Sequence, residues 1–199
     1  MNDLVRDARE RLVGRARREG LETIGYRVVD SPLGPLWVAV GPKGVVGIHY
    51  GAEPSAAELA RLVRAYGPGI LPDERRADPV ARQLDQYFRG RRQAFDVAVD
   101  LSPLSPFQRR ILAATARVPY GSVSTYARVA ARAGSEKASR AAGQALGANP
   151  IPIVVPCHRV LATDGTLGGY SGGLEAKRRL LALERGEVPQ GGWPSRRAL

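Results

Sequence analysis

One twelve-residue stretch constrains this chain more than any other: residues 149–160, which read NPIPIVVPCHRV. Pro150, Pro152 and Pro156 remove backbone donors and forbid an ordinary helix, while the apolar residues between them demand burial. The expectation is a buried extended strand with Cys157 at its end, entering a turn beside His158 and Arg159. Cys157 is the only cysteine among 199 residues, so neither an intrachain disulfide nor a multi-cysteine metal site can form. Only His49 and His158 are left for a zinc or iron centre, and no bound metal is expected.

Around that stretch the chain changes character near residue 104. In the first half, YRVVDSPLGPLWVAVGPKGVVGIHYG alternates β-branched and aromatic runs with the turn signals Ser31-Pro32-Leu33-Gly34 and Gly41-Pro42-Lys43-Gly44. Three antiparallel strands follow from this pattern. Helical stretches at about 55–66 and 78–89 and a short alternating strand from Ala94 to Val99 complete a small unit, with Leu101 to Pro106 as the link beyond it. In the second half, Ser105 as N-cap, Pro106 at the first helical position and Gln108 three residues after the cap start a helix running to about Arg117. Ser124 caps a short helix from Thr125 to Ala133 that Gly134 stops, and Ser135 caps another from Glu136 to about Leu146, a helix-turn-helix pattern. Residues 1–19 read as an amphipathic helix with Leu4, Val5, Ala8, Leu12 and Ala16 on one stripe. The predicted class is therefore α+β: a small N-terminal α/β domain with an antiparallel sheet, then a mostly helical, winged-helix-like C-terminal domain. The expected divisions are a helical extension (1–23), the sheet domain (24–101), the helical domain (105–184) and a tail (185–199).

Charge is unevenly spread. The formal net charge is +11, and all but three of the 30 basic residues are arginine. Residues 1–104 carry 16 basic and 14 acidic groups, whereas residues 105–199 carry 14 and 5. Arginine richness alone equally fits a GC-rich coding sequence, but this asymmetry turns the second half toward a polyanion such as a phosphate backbone. There is no apolar run of about 18 residues and the first residues are charged throughout, so a cytoplasmic protein without a membrane span is expected.

The second helix of the pair is unusually bare. Ala138, Ala141, Ala142 and Ala145 share one stripe, and Ser139, Gly143 and Gly147 form a ridge at spacing four with Arg140 beside it. Small residues suit tight helix packing within the fold; a groove-entering helix with a single probing arginine is the alternative. Sequence reading in a major groove needs several polar side chains at base-contact spacing, which the ridge lacks.

A cysteine at a strand end with cationic neighbours and nearby backbone amides is placed to favour thiolate, although a lone cysteine is also common as inert filler. A thiolate nucleophile needs a base, and His158 is the neighbouring candidate, reached through a turn or a bridging water. Glu184, in LEAKRRLLALE, is either a carboxylate that orients this histidine or an ordinary surface acid. The glycine-rich stretch TDGTLGGYSGGL around Tyr170 and Ser171 is suited to walling a pocket; it matches neither a P-loop nor a Rossmann fingerprint, so no cofactor is expected.

PCHRV at 156–160, preceded by RAAGQALGANPIPIVV and followed by GGYSGGLEAKRRLLALE, resembles the O6-alkylguanine-DNA alkyltransferases. The resemblance runs almost unbroken from about Ser105 to Glu184 and extends weakly into the first half through SPLGPLWVAV and LDQYFRGRRQAFDV. It implies that Cys157 takes an alkyl group from O6-alkylguanine in double-stranded DNA, with O4-alkylthymine as an extension, and that the protein is consumed in doing so. Displacement at a saturated carbon needs an in-line thiolate, and no metal or cofactor. By the same resemblance His158 deprotonates Cys157 through a water, Glu184 orients His158, Tyr126 donates a hydrogen bond to the base, and Asn149 forms the turn between the bare helix and the cysteine segment. Arg140 fills the gap left by the flipped nucleotide, with its helix in the minor groove. The Ser171 amide lies near O6 and the Val160 carbonyl near the exocyclic amine, Tyr170 lines the pocket, and Ala127, Ser135 and Thr163 meet phosphates. Leu146 departs from the family pattern and is expected to narrow or reshape the pocket wall, and a monomer without membrane attachment is implied. Two other classes compete: a non-enzymatic binder of alkylated bases, against which the intact Cys157 argues, and a helix-turn-helix regulator, which explains neither PCHRV nor the glycine loop.

Overall fold

The computed structural model describes residues 7, 11, 13–16, 18–21 and 23–187. Of the expected N-terminal helix, residues 7, 11, 13–16 and 18 are helical and Glu19 already belongs to a turn; its other residues, and the tail beyond residue 187, lie outside the described residues.

Three strands form where alternation and turn signals place them: β1 (Ile24–Val29), β2 (Leu36–Gly41) and β3 (Gly44–Tyr50), each antiparallel to the next. The β1–β2 turn is closed by Ser31, whose Oγ donates to Gly34 O at 2.6 Å. Along β2, Leu36 and Val38 face one side and Trp37 and Ala39 the other, and all four are buried, so this sheet is covered on both faces. Helix α1 (Ala56–Tyr66) contributes Leu62 to the Trp37 side. Helix α2 (Glu74–Phe88) contributes Ala77, Val80 and Leu84 to the other. Between them a fourth strand, β4 (Ile70–Pro72), pairs parallel to β1, giving the order β3-β2-β1-β4.

Two expectations for this half are corrected. Helix α2 starts at Glu74 rather than about 78, because Asp73 accepts from the Arg76 amide as N-cap and the helix continues through Pro79. No strand spans Ala94–Val99: the segment makes a single bridge, Val45 to Val99, beside β3.

In the second half, α3 (Pro106–Ala116) opens with the expected capping box between Ser105 and Gln108. The next two caps differ from expectation. Ser124 and Thr125 form a two-residue strand, β5, and Thr125, not Ser124, caps α4 (Tyr126–Arg132) by accepting from the Arg128 amide. Helix α5 spans Ser139–Gly147 with Ala138 at its cap and no side-chain cap; Ser135 instead belongs to the turn that precedes it, its carbonyl accepting from Ala138 N at 2.9 Å. Ala142, Ala145 and Leu146 bury the inner face of α5, while Arg140 and Ala141 are exposed.

The constraining stretch is not an extended strand. Residues 150–156 form consecutive tight turns, with Val155 N bonded to Ile151 O at 2.9 Å and Ile153 at φ 74°. Prolines at 150, 152 and 156 leave too few donors for a ladder, so the chain satisfies itself locally. Cys157–Arg159 then make one 3₁₀ turn that leads into β6 (Val160–Leu161), parallel to β5, before α6 (Gly173–Glu184) closes the fold. One apolar core runs through both halves, from Val38 and Leu84 to Ile111, Ile151 and Leu180. Among the described residues, no helix is long and apolar enough to cross a membrane.

Candidate active site

A 3₁₀ turn sends three consecutive side chains in three directions about 120° apart. Cys157, His158 and Arg159 therefore diverge, and each meets a different group, although all three are buried. His158 and Arg159 converge on Glu184, the last residue of α6. His158 Nε2 lies 2.8 Å from Glu184 Oε1, Arg159 donates to both carboxylate oxygens at 2.9 Å, and Arg159 Nη1 donates to Val118 O at 2.6 Å. Tyr87 of α2 adds its hydroxyl at 2.7 Å and the Gly121 amide adds a bond at 3.1 Å.

Charges in this cluster settle in one way. Burial alone would raise the Glu184 carboxyl, but hydrogen bonds from His158 and Arg159 outweigh it and hold the group down at about 2. Burial lowers the His158 pKa despite the carboxylate, so the ring is neutral, carrying its proton on Nε2 toward Glu184. Nδ1 is then a free lone pair, and among the described residues no side-chain or backbone group bonds it. Such an arrangement leaves Nδ1 open to accept a proton, while burial weakens the ring as a base.

Asn149 follows the C-cap of α5, Ala148, and is tied on both ends of its amide: Nδ2 donates to Cys157 Sγ at 3.1 Å and to Val155 O at 2.9 Å, while Oδ1 accepts from Ile151 N at 3.0 Å. Lys177, wholly buried on the inner face of α6, donates to Val160 O at 2.7 Å and to Leu167 O. Burial lowers its pKa to about 8. The expectation of a ready thiolate is corrected here. Burial pushes the Cys157 thiol up to about 11, and although Asn149 and Lys177 pull the other way, they do not overcome it; the Arg159 charge is spent on Glu184.

Cys157 stands in the wall of a cavity of about 240 Å³. Gly143, Leu146 and Gly147 of α5 form one side, Gly169, Tyr170 and Ser171 of the glycine-rich loop another, and Tyr126 at the start of α4 a third. Pairing of β5 with β6 brings Tyr126 there, since Ser124 and Thr125 lie beside the two residues that leave the cysteine turn. The bare ridge of α5 thus has a use that neither alternative reading contained: two of its glycines face a cavity.

The structure therefore gathers Cys157, His158, Glu184, Asn149, Tyr126, Val160, Tyr170 and Ser171 in one place. Arg140 and Thr163 are exposed, and Ala127 and Ser135 half-buried, all outside the cavity lining. Sequence reasoning missed Lys177, although positions 177, 180, 181 and 184 follow the 3, 4, 7 spacing of a buried helical stripe. It also missed Tyr87, for which no local signal exists, because it arrives from the other half of the chain.

Fold and site together define a cysteine-centred protein: a lone buried thiol, a histidine–carboxylate pair behind it and a small aromatic-walled cavity in front. Residues 106–186 match the family model for the DNA-binding domain of 6-O-methylguanine DNA methyltransferase, and residues 24–101 that for its ribonuclease-like domain. A methylated-DNA–protein-cysteine methyltransferase of Mycolicibacterium paratuberculosis is 41% identical over 169 residues, covering 83% of this chain and 95% of its own length. A namesake from Methanosarcina barkeri is 34% identical, covering 82% and 98%. Among solved structures, Mycobacterium tuberculosis OGT in complex with DNA superposes with a TM-score of 0.72 at 37% identity, over 83% of this chain and 95% of that one. The chain belongs to the 6-O-methylguanine DNA methyltransferase family.

Proposed function

We propose that this chain repairs duplex DNA by drawing an alkyl group from O6-alkylguanine, and secondarily O4-alkylthymine, onto Cys157, once per molecule, after the damaged nucleotide turns out of the double helix into the cavity. The observation that carries this reading is the lone thiol bordering that cavity with a neutral histidine and its carboxylate beside it.

A thiol held up to about 11 is ionised in only about one molecule in ten thousand at neutral pH, a cost of about 5 kcal/mol. That cost is part of the reaction barrier, and the proton needs a path out of the buried site. His158 Nδ1 takes the proton through one water, and Glu184 steadies the imidazolium that results. The thiolate then attacks the saturated carbon in line with its bond to O6. The S–C bond forms, the C–O bond breaks, and its electron pair passes to the base, which takes a proton from water at N1 to become ordinary guanine while the imidazolium returns its proton to water. Tyr126 holds its proton more tightly than a free tyrosine, through burial and the nearby Cys157, and serves as hydrogen-bond donor to the base. The Ser171 amide lies toward O6. Val160 O already accepts from Lys177 and keeps a second lone pair for the exocyclic amine.

Outside the cavity, exposed Arg140 occupies the gap in the base stack with α5 along the minor groove, and Ala127, Ser135 and Thr163 border phosphates. The excess of basic groups in residues 105–199 supplies the sequence-independent part of the affinity.

The test is incubation with a duplex carrying one O6-methylguanine, followed by mass spectrometry. The peptide containing Cys157 should gain one methyl mass while the DNA regains guanine. An unmodified peptide beside unrepaired DNA would overturn the reading.

A further inference from the structure

Tyr50, the last residue of β3, comes from the sheet rather than from the half that forms the cavity, yet its hydroxyl stands 2.6 Å from that of Tyr170. The two rings meet edge to face with centroids 5.8 Å apart. Gly172 completes the contact: a Cβ there would sit 2.6 Å from Tyr50 Cζ, so the loop backbone lies against the ring only because residue 172 has no side chain. Tyr170 in turn belongs to the cavity wall, and its carbonyl accepts from Gly173 N at 3.0 Å in the turn that starts α6. β3 is itself fixed to the cysteine segment two residues earlier, where Ile48 N donates to Pro150 O at 2.8 Å. One strand end thus holds both sides of the cavity, the segment leading to Cys157 and the loop facing it.

We propose that Tyr50 is a specificity-determining positioning residue: by holding the Tyr170 hydroxyl it sets how far the loop stands from Cys157, and so the size of alkyl group the cavity admits. The inference rests on the alkyl-transfer reading above. A methyl group needs little room beyond the base, whereas a benzyl group must displace the wall against which it lies. That displacement breaks the hydroxyl pair, a neutral hydrogen bond worth about 1 kcal/mol, which is about a fivefold penalty confined to the larger group.

The experiment compares second-order rates of Cys157 alkylation by duplexes bearing O6-methylguanine and O6-benzylguanine. Tyr50→Phe, which keeps the ring and removes the hydroxyl, should raise the benzyl-to-methyl rate ratio about fivefold. Tyr170→Phe should raise it equally, and the double variant should add nothing further, because both remove the same bond. An unchanged ratio, or an equal loss with both duplexes, would overturn the proposal, and Tyr170→Phe tests it in the same way if Tyr50→Phe does not fold. Wild-type protein that modifies Cys157 with neither duplex would instead defeat the alkyl-transfer reading itself.

Discussion

Replacing Glu184 by glutamine separates the carboxylate's charge from its shape. In the native site the carboxylate accepts from Tyr87, His158, Arg159 and Gly121, and its side chain is 1% exposed. Glutamine fills the same volume but leaves Arg159 as a buried cation with no counter-ion, a change that costs about 3–5 kcal/mol. For a chain of this length that corresponds to a melting point lower by roughly 10 °C. The pH dependence supplies a second measure. Folding holds the Glu184 carboxyl down at about 2 from an ordinary 4.5, so its contribution is present above pH 4.5 and is lost as pH falls toward 2, on the order of 3 kcal/mol in total. His158, whose pKa folding lowers through burial, adds a separate loss that begins as pH drops below its ordinary 6.5, because the unfolded chain takes that proton first. Urea denaturation of both proteins across this range should show the wild type losing stability through both windows and Glu184→Gln lacking the acidic one. Adding Arg159→Met to Glu184→Gln should restore part of the loss, since it removes the orphaned charge. A variant within about 1 kcal/mol of wild type, with the same slope below pH 4.5, would refute the reasoning.

With the thiol held up to about 11 by burial, iodoacetamide labelling of Cys157 in the free protein should speed roughly tenfold per pH unit from about pH 7 to about pH 9, and a plateau in that range would contradict it. Arg140→Ala should slow repair of duplex DNA by about tenfold or more while leaving reaction with free O6-benzylguanine nearly unchanged; equal losses would give the arginine another task. Gly168→Ala puts a Cβ 2.6 Å from the Tyr126 hydroxyl at φ 63°, so it should destabilise the fold by about 1–3 kcal/mol and slow alkylation; a variant with native melting point and rate would show that the loop yields freely.

Local chemistry was legible where it acts locally. The Ser105–Gln108 box and the turns around Ser31 and Lys43 carry their own hydrogen-bonding logic, and they put α3 and the three antiparallel strands in place. β4 is only three residues long and owes its existence to an edge that β1 offers, which no pattern in Ile70–Pro72 announces. The prolines of residues 149–160 excluded a helix, as they should, but they excluded a regular strand for the same reason. At the site, Cys157 and His158 are neighbours in the chain and Glu184 ends a readable helix. The state of the thiol was not legible, because it depends on burial outweighing Asn149 and Lys177, a balance of distances rather than of residue types.

The core shared by both halves has a consequence for anyone who would recombine them. Ile48 is hydrogen-bonded to Pro150, and Tyr87 reaches across to Glu184, so the sheet half is part of the reactive centre's scaffolding. Exporting the helical half as a stand-alone module would strip a donor from the carboxylate and open an oily wall to water. Chimaeras swapped at the linker should therefore keep the partners of Tyr87 and Ile48 matched, or they will lose the bonds that hold Glu184 and the cysteine segment in place.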